Sequence, residues 1–283
     1  MPHWQTSRIR IDLSRPQVMG IVNITPESFS DGGRHAGTRE ALLHCEKLIQ
    51  HGADILDLGA ESTRPGAQPL SQDQELQRLL PVLRAAVTLG VPVSVDTYKP
   101  VVMRAALDAG ADIINDVWAL RWSDMTDGLR APSVIAQHPQ CGVCLMHMHG
   151  NPLTMQVAPM AGDVVEPVRD FLQRAAQGLM DQGVDRARIC IDPGIGFGKT
   201  VEQNFSLLAQ QSELVDCGFA VLAGWSRKSS LGAVTGAATD DRVVASAVAA
   251  SLAVLHGAHI VRVHDVRETV QALRVVAAMQ AAA

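Results

Sequence analysis

Aromatic side chains, basic charge and long apolar runs are all scarce in this chain. Tryptophan, tyrosine and phenylalanine make up 4% of 283 residues, and 24 lysines and arginines face 29 aspartates and glutamates, for a net charge of −5. Nucleic-acid binders carry a basic footprint, often with stacking aromatics, so nucleic acid is not expected as a partner. No apolar stretch approaches the roughly 20 residues that a membrane helix needs, so no membrane association is expected. The longest, Val243 to Leu255, is alanine-rich and broken by Ser246 and Ser251. Met1 to Asp12 carries no charged-then-apolar leader, which gives secretion by a signal peptide no support. The five cysteines, at 45, 141, 144, 190 and 217, are odd in number and irregular in spacing. That usage fits reduced thiols in a cytoplasm. No Ser/Gly/Pro-rich or charge-run linker divides the chain, so residues 1–283 read as one domain, with 1–16 as an N-terminal extension.

What the chain does have is a repeat of glycine, short apolar run and polar group. From Gly52, Gly90, Gly110, Gly142, Gly218 and Gly257 the runs end near Gly59, Asp96, Asn115, His147, Ser226 and His264. Two further runs lack the opening glycine: Val18 to Val22 ends in Asn23, and Arg188 to Ile191 in Asp192. Eight such runs in a chain of this length predict an α/β fold, a single (β/α)8 TIM barrel, which is typically about 250 residues long and does its chemistry where the strands end. Alternation of Ile9, Ile11 and Leu13 with Arg8, Arg10 and Asp12 adds an extra strand or hairpin before the barrel, covering its base.

Helix ends are legible between the strands. Ser71 and Gln74 form a capping-box pattern, Leu76, Leu79, Leu80, Leu83 and Val87 follow at helical spacing, and Gly90 stands where a left-handed terminus is expected. Pro81 should kink this helix unless the helix begins there. Pro100 opens a short helix ending at Gly110, and Asp265 with Glu268 forms another cap pattern. Long loops rich in glycine and proline follow the first, second and sixth strands: Asn23 to Gly37, Gly59 to Pro69 and Pro193 to Thr200. On this fold such loops carry binding and catalysis.

Residues two apart on a strand share a face, so Arg262 projects with His264, Ser94 with Asp96, Ile113 with Asn115 and Cys190 with Asp192. Asp96, Asn115 and Asp192 should converge at the barrel mouth. Two carboxylates and an amide beside apolar Val117, Met146 and Phe197 suit a flat heterocycle with several N–H donors along one edge, such as an amino-pyrimidine. The alternative is that these strand-terminal residues cap the helices that follow. Lys228, within Ser226-Arg227-Lys228-Ser229-Ser230, places a cation at the same mouth. Thr63 and Arg64 after the second strand, and Arg262 and His264 at the eighth, imply a phosphate-sized anion. Arg262 alternates with Val261 and Val263, a costly placement unless it is paired.

Three patterns fail. Gly194 to Thr200 resembles a nucleotide P-loop, but Pro193 stands where its first glycine belongs. Cys141 and Cys144 have a redox or zinc spacing, yet on a strand that spacing sends them to opposite faces, as buried thiols. His147 and His149 have no third ligand nearby, so structural zinc is not expected.

Together the motifs resemble the dihydropteroate synthase family. They are Gly20-Ile21-Val22-Asn23-Ile24-Thr25-Pro26 through Ser28-Phe29-Ser30-Asp31-Gly32-Gly33, Glu61-Ser62-Thr63-Arg64-Pro65-Gly66, Ser94-Val95-Asp96-Thr97, Asn115-Asp116-Val117, Met146-His147, Asp192-Pro193-Gly194-Ile195-Gly196-Phe197-Gly198-Lys199, Ser226-Arg227-Lys228-Ser229 and Arg262-Val263-His264-Asp265-Val266. The resemblance implies a cytoplasmic transferase, a homodimer through its last helices, that joins dihydropterin pyrophosphate to p-aminobenzoate. It implies that Asp96, Asn115, Asp192 and Lys228 hold the pterin edge, with Met146, Gly224, Phe197 and Val117 about its faces. Asn23, Thr63, Arg64, Arg262 and His264 are implied at the pyrophosphate, Asn23 as a ligand of Mg2+. Phe29, Pro65, Lys228 and Ser229 are implied around p-aminobenzoate, where sulfonamides compete; Asp96, Lys228, Arg262 and His264 are the implied catalytic set. Glu27 departs from a frequent aspartate and Ala60 from a common glycine. A pterin-binding methyltransferase on the same barrel is the rival enzyme, disfavoured by the anion group and Ser-Arg-Lys-Ser. A silent scaffold is disfavoured because Asn23, Arg64, Lys228 and Arg262 are all present.

Overall fold

The computed structural model describes residues 2–24, 33–61, 68–123, 128–151, 154, 155 and 157–282, without the side chains of 33–36. An antiparallel hairpin, β1 (His3–Gln5) and β2 (Arg10–Asp12), comes first. Eight parallel strands then close into a barrel: β3 (Gln17–Asn23), β4 (Ile55–Gly59), β5 (Val93–Asp96), β6 (Ile113–Asp116), β7 (Gly142–Met146), β8 (Ile189–Asp192), β9 (Ala220–Ala223) and β10 (Ile260–Val263), which pairs back onto β3. Around them run α1 (Gly33–Gln50), α2 (Gln72–Ala86), α3 (Pro100–Asp108), α4 (Ala131–Gln137), α5 (Val165–Met180), α6 (Val201–Ala209), α7 (Ser212–Val215), α8 (Ser229–Thr235), α9 (Val243–Leu255) and α10 (Val266–Ala281). This is the (β/α)8 barrel that the eight apolar runs predict.

Period-two alternation divides each strand between two cores. Outward residues such as Val22, Leu56, Val95, Ile114, Val143, Ile191 and Val221 pack against the helices in one continuous cluster. Inward, Met19, Ile55, Ile113, Cys144, Cys190, Leu222 and Ile260 fill the lower barrel. The hairpin closes that end: Trp4 is fully buried, packs with Ile11 and Leu13 into the inward cluster, and its indole N–H donates to the Arg188 carbonyl at 2.9 Å. Cys141 and Cys144 fall into different clusters, as strand alternation requires, and all five thiols are buried and free.

Local differences from the sequence expectations have physical causes. The Ser71 capping box forms, and α2 begins at Gln72 and continues through Pro81, so Pro81 does not start the helix. Burial of Leu79, Val82 and Leu83 compensates for the donor that proline lacks. Helix α1 begins at Gly33, inside the expected Asn23 to Gly37 loop. Asp265 sits at the N-cap of α10 without a side-chain capping bond, because its carboxylate accepts from the Arg227 guanidinium at 2.7 and 3.1 Å. No helix among the described residues is long and apolar enough to cross a membrane.

Candidate active site

Two residues beyond the apolar layer, the same strands turn polar. Ile55 is followed by Asp57, Ile113 by Asn115, Cys190 by Asp192, Leu222 by Gly224, and Ile260 by Arg262 and His264. Of these, Asn115, Asp192, Gly224, Arg262 and His264 line a cavity of about 560 Å³ at the carboxyl ends of the strands, and Asp57 lies buried outside its lining. Asn23, Asp96, Asn115, Val117, Met146, Asp192, Phe197, Gly224, Lys228, Ser229, Arg262 and His264 all line it. The acceptors expected for a heterocycle and the cations expected for an anion thus share one space. Phe29, Thr63, Arg64 and Pro65, with Glu27, lie outside the described residues. Ala60 is buried at the end of β4.

Arg262 is paired, as its position in a strand demands. Its Nε donates to Asp57 at 2.6 Å and one Nη to Asp96 at 2.7 Å. Burial disfavours its charge, but the facing carboxylates of Asp57 and Asp96 outweigh that and raise its pKa. Among the described residues no acceptor takes the remaining Nη, which is left for an incoming anion. Asp96 is pushed up to about 7, first by burial and then, against the pull of Arg262, by Asp57, Glu75 and Asp116.

Asp192 is also raised by burial, although the Gly194 N–H donates to it at 2.7 Å. Lys228 is lowered to about 8 by burial, partly offset by Asp192. Its ammonium lies 4.3 Å from the centre of the Phe197 ring, a cation–π contact between two residues that both line the cavity. His264 and Ser226 are linked, with 3.0 Å between the hydroxyl and Nδ1.

The loop after β8 is shaped by two features. Gly194 has φ of +68°, and a Cβ there would lie 1.9 Å from the His147 carbonyl oxygen, so only glycine fits. Buried Lys199 donates to the carbonyls of Gly194 at 2.9 Å, Phe197 at 3.1 Å and His147 at 3.4 Å, so the loop wraps around one ammonium and holds Phe197 at the cavity. The lysine that looked like part of a P-loop is therefore a loop organiser. His147, expected as a strand ending near the site, turns away from the cavity lining and packs edge-on against Phe171, with ring centres 5.0 Å apart. Among the described residues no group of three or more His, Cys, Asp or Glu gathers to hold a metal.

Sequence reasoning passed over two further groups. Asp57 is buried inside β4, where Arg262, 205 residues away, and the Asn115 amide offset the cost of its charge. Glu61 lines the cavity, accepts from the Tyr98 hydroxyl at 2.8 Å and the Leu70 N–H at 3.0 Å, and pairs with Lys99, which also holds Glu75. The Glu61-Ser62-Thr63-Arg64 motif contained that signal, but nothing in the sequence pointed to Tyr98 and Lys99.

Comparison with known proteins agrees with this geometry. The model of the pterin binding enzyme family matches residues 19–264. Dihydropteroate synthase of Escherichia coli K12 is 45% identical over 272 residues, covering 95% of this chain and 93% of its own. A crystal structure of Burkholderia cenocepacia dihydropteroate synthase complexed with 7,8-dihydropteroate superposes with a TM-score of 0.88 at 48% identity, covering 99% of this chain and 97% of that one. A Yersinia pestis dihydropteroate synthase in complex with a sulfonamide drug gives 0.90 at 40% identity, with 99% of each chain covered. The chain belongs to the pterin-binding enzymes, in the dihydropteroate synthase family.

Proposed function

We propose that this chain joins 6-hydroxymethyl-7,8-dihydropterin pyrophosphate to p-aminobenzoate, giving 7,8-dihydropteroate and pyrophosphate. The observation that supports this best is the single cavity holding Asp96, Asn115 and Asp192 together with Lys228, Arg262 and His264. Asp192 and Asn115 accept the N–H groups of the pterin edge, and Lys228 donates to a ring carbonyl or nitrogen. Met146, Val117 and Phe197 pack on the ring faces, and Gly224 keeps one side open. The free Nη of Arg262 and His264, with Thr63 and Arg64, hold the diphosphate.

Substitution at the carbon next to the ring follows a loose, dissociative course in which charge is the main problem. The cations stabilise the departing anion, and ionised Asp96 offsets the positive charge that grows on the pterin. The aromatic amine is already unprotonated near pH 7, so it needs positioning by Phe29, Pro65, Lys228 and Ser229 rather than a dedicated base. Sulfonamides occupy the same position.

Mg2+ arrives with the diphosphate. Asn23 offers a single side-chain carbonyl at the cavity wall, a donor set suited to an ion that brings phosphate oxygens and waters with it. When bound, the ion supplies Lewis-acid stabilisation of the leaving group. The protein works in the cytoplasm as a homodimer, for which α9 and α10 provide exposed Val244, Val248, Leu252 and Val275. Mixing dihydropterin pyrophosphate with p-aminobenzoate should yield dihydropteroate with Mg2+ and far less without it. Absence of product in the complete mixture would contradict the proposal.

A further inference from the structure

Asp57 is a charged group of the barrel to which the proposed reaction gives no role. It is completely buried and does not line the cavity. Its register partners are Ile21 on β3 and Ser94 on β5, and Ile55 lies just below it on the same face. An apolar side chain would fill this position at lower cost, because replacing a buried ion pair by well-packed hydrophobes is often neutral or stabilising.

The contacts Asp57 makes point to its task. One oxygen, Oδ2, accepts both from Arg262 at 2.6 Å and from the Asn115 amide at 3.3 Å. Those are two cavity residues, on β10 and β6, on opposite sides of β4. Among the described residues the other oxygen, Oδ1, has no partner, and neither has the buried hydroxyl of Ser94 on the neighbouring strand. A buried oxygen without a partner costs stability, so stability alone gives no reason to keep this carboxylate. This one is committed to Arg262 and Asn115.

We infer that Asp57 is a positioning residue for the condensation: it fixes the guanidinium of Arg262 and the amide of Asn115 from beneath, so that Arg262 keeps its free Nη on the diphosphate while Asp96 turns to the pterin. Without it, Arg262 has Asp96 as its single anchor, and Asp96 cannot serve the ring and the arginine independently. The inference rests on the proposed reaction.

Asp57 also acts on the titration of Asp96. Among the charged groups that act on Asp96, Arg262 and Lys228 favour its ionised form, and Asp57, Glu75 and Asp116 disfavour it. Removing the Asp57 charge deletes one disfavouring neighbour and leaves Arg262 to Asp96 alone. Both changes move Asp96 toward lower pKa.

The test is steady-state kinetics of the full-length protein with dihydropterin pyrophosphate and p-aminobenzoate. Asp57→Asn, which preserves shape, should lower kcat by about tenfold or more, as expected when a reacting geometry is loosened. KM for p-aminobenzoate should stay within about twofold, because the arginine's contact is with the other substrate. The acid limb of its pH profile should move to lower pH, and Asp57→Glu, which keeps the charge, should restore that limb. A role confined to folding would move Tm and leave the limb in place.

Comparing Arg262→Met with Asp57→Asn/Arg262→Met covers the case in which Asp57→Asn alone does not fold, since both variants lack the Arg262 pair with Asp96 and differ only in the Asp57 carboxylate. The two should differ by less than about threefold, because the main action of Asp57 passes through Arg262 and only its weaker hold on Asn115 remains. An Asp57→Asn enzyme with wild-type kcat and an unmoved acid limb would overturn the inference. So would a double variant that is tenfold slower than Arg262→Met. Dihydropteroate formation by the unaltered protein tests the underlying reaction separately, so a silent wild type and an indifferent Asp57→Asn are distinguishable failures.

Discussion

The lower and upper halves of the barrel interior are built on the same strands yet have opposite chemistry. Below, Met19, Ile55, Ile113, Leu222 and Ile260 make a dry plug, sealed by Trp4 from the hairpin. Two residues further along, Asp57, Asn115, Asp192 and Arg262 gather in the same closed ring of strands. The plug fixes strand positions, and the polar layer uses that fixity, since charged groups held by a rigid frame need little reorganisation when a substrate arrives. The contrast teaches that stability and function on this fold are separated by about two residues of strand, roughly 7 Å.

The largest expected way to break that separation is Arg262→Ala. It removes a cation from the diphosphate and strands Asp57 and Asp96 without their partner, so turnover should fall about 100-fold or more and Tm should fall with it, checked by kinetics and calorimetry. Pterin binding without the diphosphate should be spared. In the lower half, Leu222→Ala should cost about 2–5 kcal/mol of stability by leaving a cavity, read from denaturant unfolding. Pterin affinity in the folded fraction should change by less than about threefold.

A smaller effect comes from pH. Asp96, raised to about 7 mainly by burial, carries its charge only above that pH, and Lys228, lowered to about 8 mainly by burial, keeps its charge only below that pH. The kcat/KM for dihydropterin pyrophosphate should therefore peak between about 7 and about 8 and decline on both sides. A rate that stays flat from pH 6 to 9 would remove Asp96 and Lys228 from the ionising pair.

Much of the polar layer is legible in the sequence because strand endings are local. Asp96, Asn115 and Asp192 each follow an apolar run, and period-two geometry then puts them on the inner face. Asp57 was illegible for the converse reason. It lies within the run Ile55–Gly59, and what stabilises it is Arg262 from the far end of the chain. Lys199 was visible but misleading: its neighbours look like a phosphate loop, whereas its three donors are spent on backbone carbonyls. Asp265 had the right position and residue type for a cap, and lost that role to Arg227, a competitor that only tertiary structure supplies. The hairpin was legible from Ile11 and Leu13, while the part of Trp4 in sealing the barrel required the closed ring to exist.

The most direct test of the account is calorimetry of two ligands, 6-hydroxymethyl-7,8-dihydropterin and its pyrophosphate, on wild type, Asp192→Asn and Arg262→Ala. Asp192→Asn should weaken both ligands by about tenfold or more, because the ring loses an ionised acceptor. Arg262→Ala should weaken the pyrophosphate ligand alone. Equal losses for both ligands in Arg262→Ala, or unchanged affinity in Asp192→Asn, would contradict the assignment of ring and diphosphate to the two sides of one cavity.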